Sequence, residues 1–126
     1  MTGKRKRILV VEDDDVLRIM TGRQLEHLGY AVISCKDGGA ALKALAENSC
    51  DLILMDVQMP IMDGLEATRT IRENEAAHAL PRLPIIAMTA NPDRETCFQS
   101  GMDDFLFKPI TIAELSASVA KWIAAP

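Results

Sequence analysis

Asp51-Leu52-Ile53-Leu54-Met55-Asp56-Val57-Gln58-Met59-Pro60-Ile61-Met62-Asp63-Gly64 is the stretch on which the fold of this chain turns. Leu52 to Met55 are four apolar residues in a row, with no polar alternation. Such a run reads as a strand buried on both faces, as in the middle of a parallel sheet. Pro60 cannot continue a sheet ladder, and Asp63-Gly64 is a turn and helix-entry signal, so Asp56 sits at the strand's C-terminal edge. In open α/β sheets ligands bind along that edge. Asp56 is therefore either a ligand-site carboxylate or a residue that caps the loop, and this stretch alone leaves both readings open.

The rest of the chain is built around that strand. At 126 residues, 48% hydrophobic and 25% charged, it has the size and composition of one globular domain, 1–126, with residues 1–6 as a basic flank. A net charge of −4 speaks against a broad nucleic-acid footprint. The basic run Lys4-Arg5-Lys6-Arg7 reads as a solvated flank before a strand. Cys35, Cys50 and Cys97 are odd in number and lack Cys-x-x-Cys spacing, which supports neither a disulfide framework nor a zinc site. A reducing cytoplasm fits them best. No run approaches the ~20 apolar residues of a membrane span, so membrane insertion is not expected. His27 and His78 have no ligand-like company and read as surface residues.

Ile8-Leu9-Val10-Val11 is a second buried strand, and it too ends in acids, Glu12-Asp13-Asp14-Asp15. Leu17, Met20, Thr21, Leu25 and Leu28 then recur at helical spacing before Gly29, with Asp14 or Asp15 available as the cap. One cap explains one acid of the four. Tyr30 to Ser34 reads as a strand, Asp37-Gly38-Gly39 as a turn, and Ala40 to Asn48 as a helix. After the central strand come a helix over Gly64–Ala77 with Leu65, Thr68 and Ile71 on one face, a strand over Pro84–Ala90, and a short helix over Asp93–Ser100 stopped by Gly101. Phe105-Leu106-Phe107 is a fifth strand, and Thr111–Ala124 a last helix with Thr111 and Glu114 in capping-box spacing. Five strands alternating with five helices predict a doubly wound parallel α/β sheet.

Right-handed crossovers place all the strand exits on one edge. That edge collects Glu12, Asp13, Asp56, Thr89 and Lys108. Three carboxylates at close range repel one another, and a hard divalent cation neutralises such a cluster. Mg²⁺ is the expected ion, with Mn²⁺ as a substitute. A hydroxyl and an ammonium complete a set complementary to a phosphoryl group around one carboxylate nucleophile. Asp56, at the end of the most buried strand, is the best nucleophile, while Glu12 and Asp13 are a pair suited to holding metal.

On these residues the chain resembles the receiver domain of two-component response regulators. The resemblance is carried by Ile8 to Asp13, Asp56-Val57-Gln58-Met59-Pro60, Met62-Asp63-Gly64, Met88-Thr89-Ala90 and Gly101 to Pro109. It implies a flavodoxin-like (βα)5 fold with strand order 2-1-3-4-5. It further implies that Asp56 accepts a phosphoryl group from a phosphohistidine on a histidine kinase or histidine phosphotransfer protein. Mg²⁺ would be held by Asp13, Asp56 and the Gln58 backbone carbonyl, with Glu12 reaching it through water. Thr89 and Lys108 would contact phosphoryl oxygens, Phe105 would take the aromatic switch position, and Lys108-Pro109 would be cis. A downstream protein would then read the surface of the fourth helix, fifth strand and fifth helix.

Two departures from the family stand out. Asn91 runs directly into Pro92-Asp93 where many relatives carry a few more residues, and Phe105 lacks a tyrosine hydroxyl. Self-phosphorylation from small donors and slow self-hydrolysis are expected, with Gln58 and Asn91 tuning the lifetime of the phosphoryl group. A stand-alone receiver and one that is part of a longer regulator or hybrid kinase both fit. A haloacid-dehalogenase-like phosphatase is the nearest rival, but the position two after Asp56 is Gln58, which cannot serve as its acid/base. A pseudo-receiver that only binds partners is the second, and the intact acid pair, Asp56, Thr89 and Lys108 argue against it.

Overall fold

The computed structural model describes residues 5–57, 63–90 and 93–123. Strands β1 (Arg7–Val11), β2 (Ala31–Cys35), β3 (Leu52–Asp56), β4 (Ile85–Thr89) and β5 (Asp104–Phe107) form one parallel sheet in the order β2-β1-β3-β4-β5. Helices α1 (Asp15–His27), α2 (Gly38–Glu47), α3 (Gly64–Ala77), α4 (Arg94–Ser100) and α5 (Ile112–Trp122) cover its two faces.

The continuous apolar runs of β1, β3 and β4 are explained by these two layers, because alternate residues of each strand face opposite cores. Leu9, Val11, Ile53, Met55, Ile85 and Ala87 pack with Ala41 of α2, Ala67 and Ile71 of α3, and Cys97 of α4. Ile8, Val10, Leu52, Leu54, Ile86 and Met88 pack with Leu25 of α1 and with Leu115 and Val119 of α5. Every residue of β3 is buried, Asp56 included.

Each helix opens on a side-chain cap. Asp14, Asp37, Asp63, Asp93 and Thr111 accept from the backbone N–H three residues on, and Thr111 and Glu114 complete the expected capping box. Such caps contribute about 1 kcal/mol each. They also account for the main boundary difference. Gly38 and Gly39 are the first turn of α2 and not a turn before it, because the Asp37 carboxylate accepts from Ala40 N at 2.7 Å and fixes the helix start there. Ala31–Cys35 and Ile85–Thr89 differ from the expected strands by about one residue, and α5 ends at Trp122. α3 runs over Gly64–Ala77 as expected, with Thr68 and Ile71 buried and Leu65 partly so.

The helix read from the spacing of Leu17 to Leu28 is present as α1, but only part of that apolar stripe is buried. Leu25 is buried, but Leu17 and Met20 are 40% and 50% exposed, beside the exposed Val16 and Ile19. Leu17 and Met20 border a groove with Pro109 and Ile110. Arg7, counted in the basic flank run, is instead the first residue of β1, its backbone N–H bonded to Asp51 and its side chain to the Ser49 carbonyl. The Lys108-Pro109 peptide is cis. Among the described residues no helix is long and apolar enough to cross a membrane.

Candidate functional site at the strand exits

Sheet register decides which exit residues meet. Val11 pairs with Met55, so Glu12, one residue beyond β1, lies beside Asp56 at the end of β3. Asp56 pairs with Met88, and Thr89 with Phe107, so Thr89 and Lys108 follow on the same edge. The Lys108 backbone N–H donates to the Thr89 carbonyl at 2.8 Å and carries the pairing one residue past β5.

The side chains then converge. Lys108 Nζ lies 2.7 Å from Glu12 Oε1 and 3.3 Å from Asp56 Oδ1. One ligand atom each from Glu12, Asp13 and Asp56 lie within 4.8 Å of one another, a separation that one cation can span. Glu12, Asp56 and Thr89 are buried, and Asp13 is exposed, so the cluster opens to solvent through Asp13. The turn carrying the acid pair is fixed from several sides. Glu12 N–H donates to the Cys35 carbonyl at 3.0 Å, Asp14 N–H donates to Glu12 Oε2 at 3.2 Å, and Asp14 caps α1 through Leu17 N–H.

Electrostatics agree with the geometry. Burial, then the hydrogen bond and charge of Glu12, push the Asp56 carboxyl up to about 7, against the opposing pull of Lys108. Burial draws the Lys108 ammonium down, but the Glu12 hydrogen bond and the charges of Asp56 and Glu12 outweigh it and leave Lys108 raised. One ammonium does not offset the charge of three carboxylates, and Asp56 stays raised despite Lys108. The donor set is all oxygen, which suits a hard cation such as Mg²⁺.

Of the residues singled out from sequence, Glu12, Asp13, Asp56 and Lys108 come together, and Thr89 stands at the neighbouring exit. Phe105 does not join them. It pairs with Ala87, two residues short of the Thr89–Phe107 pair, and its ring lies against α4. Its neighbours there are Phe98 and Phe107, with centroids at 6.1 and 4.9 Å, and the Arg94 guanidinium 4.6 Å above the ring. Gln58, Asn91 and the short Asn91-Pro92 entry to α4 lie outside the described residues.

Two contributions to the site go beyond the sequence reading, which took Gly64 only as a turn and helix-entry signal and gave Arg18 no role. Gly64, the first residue of α3, packs so tightly on the end of β3 that a methyl group there would overlap the Asp56 carbonyl oxygen. Arg18 donates to the Glu12 carbonyl at 3.1 Å and pairs with Asp15 at 2.6 Å. The only sequence signal for the second is an arginine three residues after an acid on a helix.

Known proteins share this arrangement. A family model described as "Response regulator receiver domain" matches residues 8–120. Sensor protein GacS of Pseudomonas syringae pv. syringae is 40% identical over 125 residues, which is 97% of this chain and 14% of GacS. The chain thus spans a small part of that relative's length. A solved receiver domain of sensor histidine kinase PA1611 from Pseudomonas aeruginosa PAO1, described with a magnesium ion coordinated in its active site cleft, is 42% identical. It superposes with a TM-score of 0.86, covering 97% of this chain and 100% of that one. A chain of the Saccharomyces cerevisiae co-crystal of phosphotransfer protein Ypd1 with the Ssk1 receiver domain is 27% identical, with a TM-score of 0.89 over 97% of this chain and 91% of that one. Neither rival reading, phosphatase or pseudo-receiver, draws support from these relatives. With its (βα)5 sheet in the order 2-1-3-4-5 and its acids gathered at the strand exits, this chain belongs to the receiver-domain family of two-component phosphorelay signalling.

Proposed function

We propose that Asp56 is the phosphoacceptor of this receiver and that its donor is a phosphohistidine on a histidine kinase or histidine phosphotransfer protein. The observation that carries the reading is the convergence of Glu12, Asp13, Asp56 and Lys108, with Asp56 the buried carboxylate at the end of the central strand. An Asp56 carboxylate oxygen attacks phosphorus, the P–O bond forms as the P–N bond breaks, and the imidazole leaves with the electron pair and takes up a proton. Lys108 Nζ, now shared between Glu12 and Asp56, is placed to move onto a phosphoryl oxygen, where a charge-assisted bond is stronger than a neutral one. The Thr89 hydroxyl at the adjacent exit supplies a second donor.

Mg²⁺ fits the three-carboxylate oxygen set, and when bound there it offsets carboxylate charge and stabilises charge on the transferring phosphoryl. Asp13 and Asp56 would hold it, with Glu12 through water and Gln58 through its backbone carbonyl. Mn²⁺, with similar oxygen preference, would substitute. The same chemistry with a small acyl phosphate gives self-phosphorylation, and water attack on the aspartyl phosphate gives slow self-hydrolysis, tuned by Gln58 and Asn91. Phosphorylation adds about −1.5 to −2 charge at pH 7. Thr89 moves toward that charge, Phe105 turns inward, and the α4-β5-α5 face becomes the surface a downstream protein reads.

Intact-protein mass after incubation with acetyl phosphate and Mg²⁺ tests the chemistry. One phosphoryl group is expected on the wild type, and none on Asp56→Asn or in the presence of a chelator. An adduct that persists in Asp56→Asn overturns the assignment.

A further inference from the structure

The three-residue turn between β1 and α1 carries two of the three cleft carboxylates, so its shape decides where they point. Glu12 is gripped at both ends of its backbone. Its N–H donates to the Cys35 carbonyl at 3.0 Å, and its carbonyl accepts from Arg18 Nη1 at 3.1 Å. Arg18 Nη2 reaches Asp15, on the other side of Asp13, at 2.6 Å. One planar guanidinium therefore brackets Asp13 from both flanks.

The position of Arg18 is not what helix stability asks for. It is the fourth residue of α1, and a cation near a helix N-terminus opposes the helix dipole. Yet its side chain is only 18% exposed, folded down onto the turn while its partner Asp15 is 75% exposed. An arginine placed for solubility would extend into solvent.

We infer that Arg18 is a positioning residue for the acidic cleft: by binding the Glu12 carbonyl and Asp15 together it fixes the turn that aims Glu12 and Asp13 at Asp56, and so raises the affinity of the cleft for a divalent cation. The inference rests on the reading of that cleft as a Mg²⁺ site. It also has a sign that separates it from plain electrostatics. A cation close to the cluster repels Mg²⁺, so by charge alone its removal would tighten Mg²⁺ binding; by loss of positioning its removal weakens it.

The test is calorimetric titration of the full chain with Mg²⁺ alone, for wild type, Arg18→Gln, Arg18→Lys and an Asp13→Asn control. Loss of a partner behind a metal site typically weakens binding by about 10–100-fold. Arg18 acts on the turn backbone and not on a ligand oxygen, so about tenfold weaker binding is expected for Arg18→Gln. Arg18→Lys, which reaches one acceptor and keeps the charge, should fall between it and wild type. Phosphorylation of Arg18→Gln by acetyl phosphate should be slow at limiting Mg²⁺ and return to the wild-type rate at saturating Mg²⁺, which a general loss of structure would not do. Unchanged or tighter Mg²⁺ binding in Arg18→Gln overturns the inference, as does equal weakening in Arg18→Lys together with an equally lowered urea midpoint. Wild type that takes up no Mg²⁺, with no difference from Asp13→Asn, overturns the metal-site reading itself.

Discussion

Gly64→Ala sets two effects of opposite sign against each other. Gly64 opens α3 with its N–H bonded to the Val57 carbonyl at 3.1 Å, and its backbone angle is not one that only glycine adopts. On helix propensity alone, alanine would stabilise the protein by roughly 0.5–1 kcal/mol. Packing argues the other way. The added methyl overlaps the Asp56 carbonyl oxygen and lies 2.9 Å from Met55 Cγ and 3.0 Å from the Asp56 carbonyl carbon. Met55 Cγ can give way, but the carbonyl belongs to the backbone of a fully buried strand. Relief requires α3 and the end of β3 to separate by something on the order of 1 Å, and overpacking of this kind costs about 1–3 kcal/mol. The net expectation is a loss of about 1–2 kcal/mol, which at a urea m-value of about 1–2 kcal/mol/M lowers the midpoint by about 1 M. Because the displaced atoms carry Asp56, acetyl-phosphate labelling should slow as well. A midpoint equal to or above wild type, with unchanged labelling, refutes the claim that this close contact holds the acceptor in place.

The remaining predictions concern charge and burial. Asp56 is held up to about 7 in the folded chain, against about 3.8 unfolded, so the folded state binds the proton more tightly. Its ionisation therefore costs no stability below pH ~4, a growing amount between about 4 and 7, and the full amount above 7. The metal-free protein should melt higher at pH 6 than at pH 8, and Mg²⁺ should raise Tm more at pH 8; a Mg²⁺ increment independent of pH contradicts this. Arg72→Met should cost about 2 kcal/mol in urea unfolding, because Arg72 binds the Gly101 and Leu83 carbonyls, Glu75 and Asp103, and its loss leaves Glu75 with only the Leu83 N–H and Asp103 with Arg82 and the Ile85 N–H. Burial, with the charge of Asp37 adding to it, pushes the Cys35 thiol up to about 11. Maleimide labelling of Cys35 at pH 7.5, followed by peptide mass analysis, should therefore be slow in the native protein and rapid in urea.

Much of this fold was legible because its strands announce themselves. Leu52–Met55 has no alternation because both faces of β3 are covered, and each apolar run ends on a polar residue because the sheet ends there. The helix caps were equally local, since Asp63, Asp93 and Thr111 bond within their own first turn. What remained hidden depends on contacts distant in sequence. Whether Leu17 and Met20 are buried depends on what packs against α1 from elsewhere in the chain, which spacing along α1 does not reveal. The two glycines after Asp37 look like a turn until the aspartate is seen capping them. Lys108 meets Glu12 across 96 residues, and their shared sheet edge was inferred from topology; the 2.7 Å ion pair, which draws Lys108 toward Glu12 more closely than toward Asp56, was not. The stacking of Arg94 over Phe105 joins α4 to β5 and leaves no pattern in either segment.

The central claim is that Asp56 takes the phosphoryl group from histidine. Its most direct test is transfer from a histidine phosphotransfer protein carrying radiolabelled phosphohistidine, in Mg²⁺, to wild type and to Asp56→Asn. The account predicts label moving to the wild type only, in an acyl-phosphate linkage that hydroxylamine cleaves, and mapping to the peptide containing Asp56. Label on Asp56→Asn, or on any other peptide of the wild type, would contradict it.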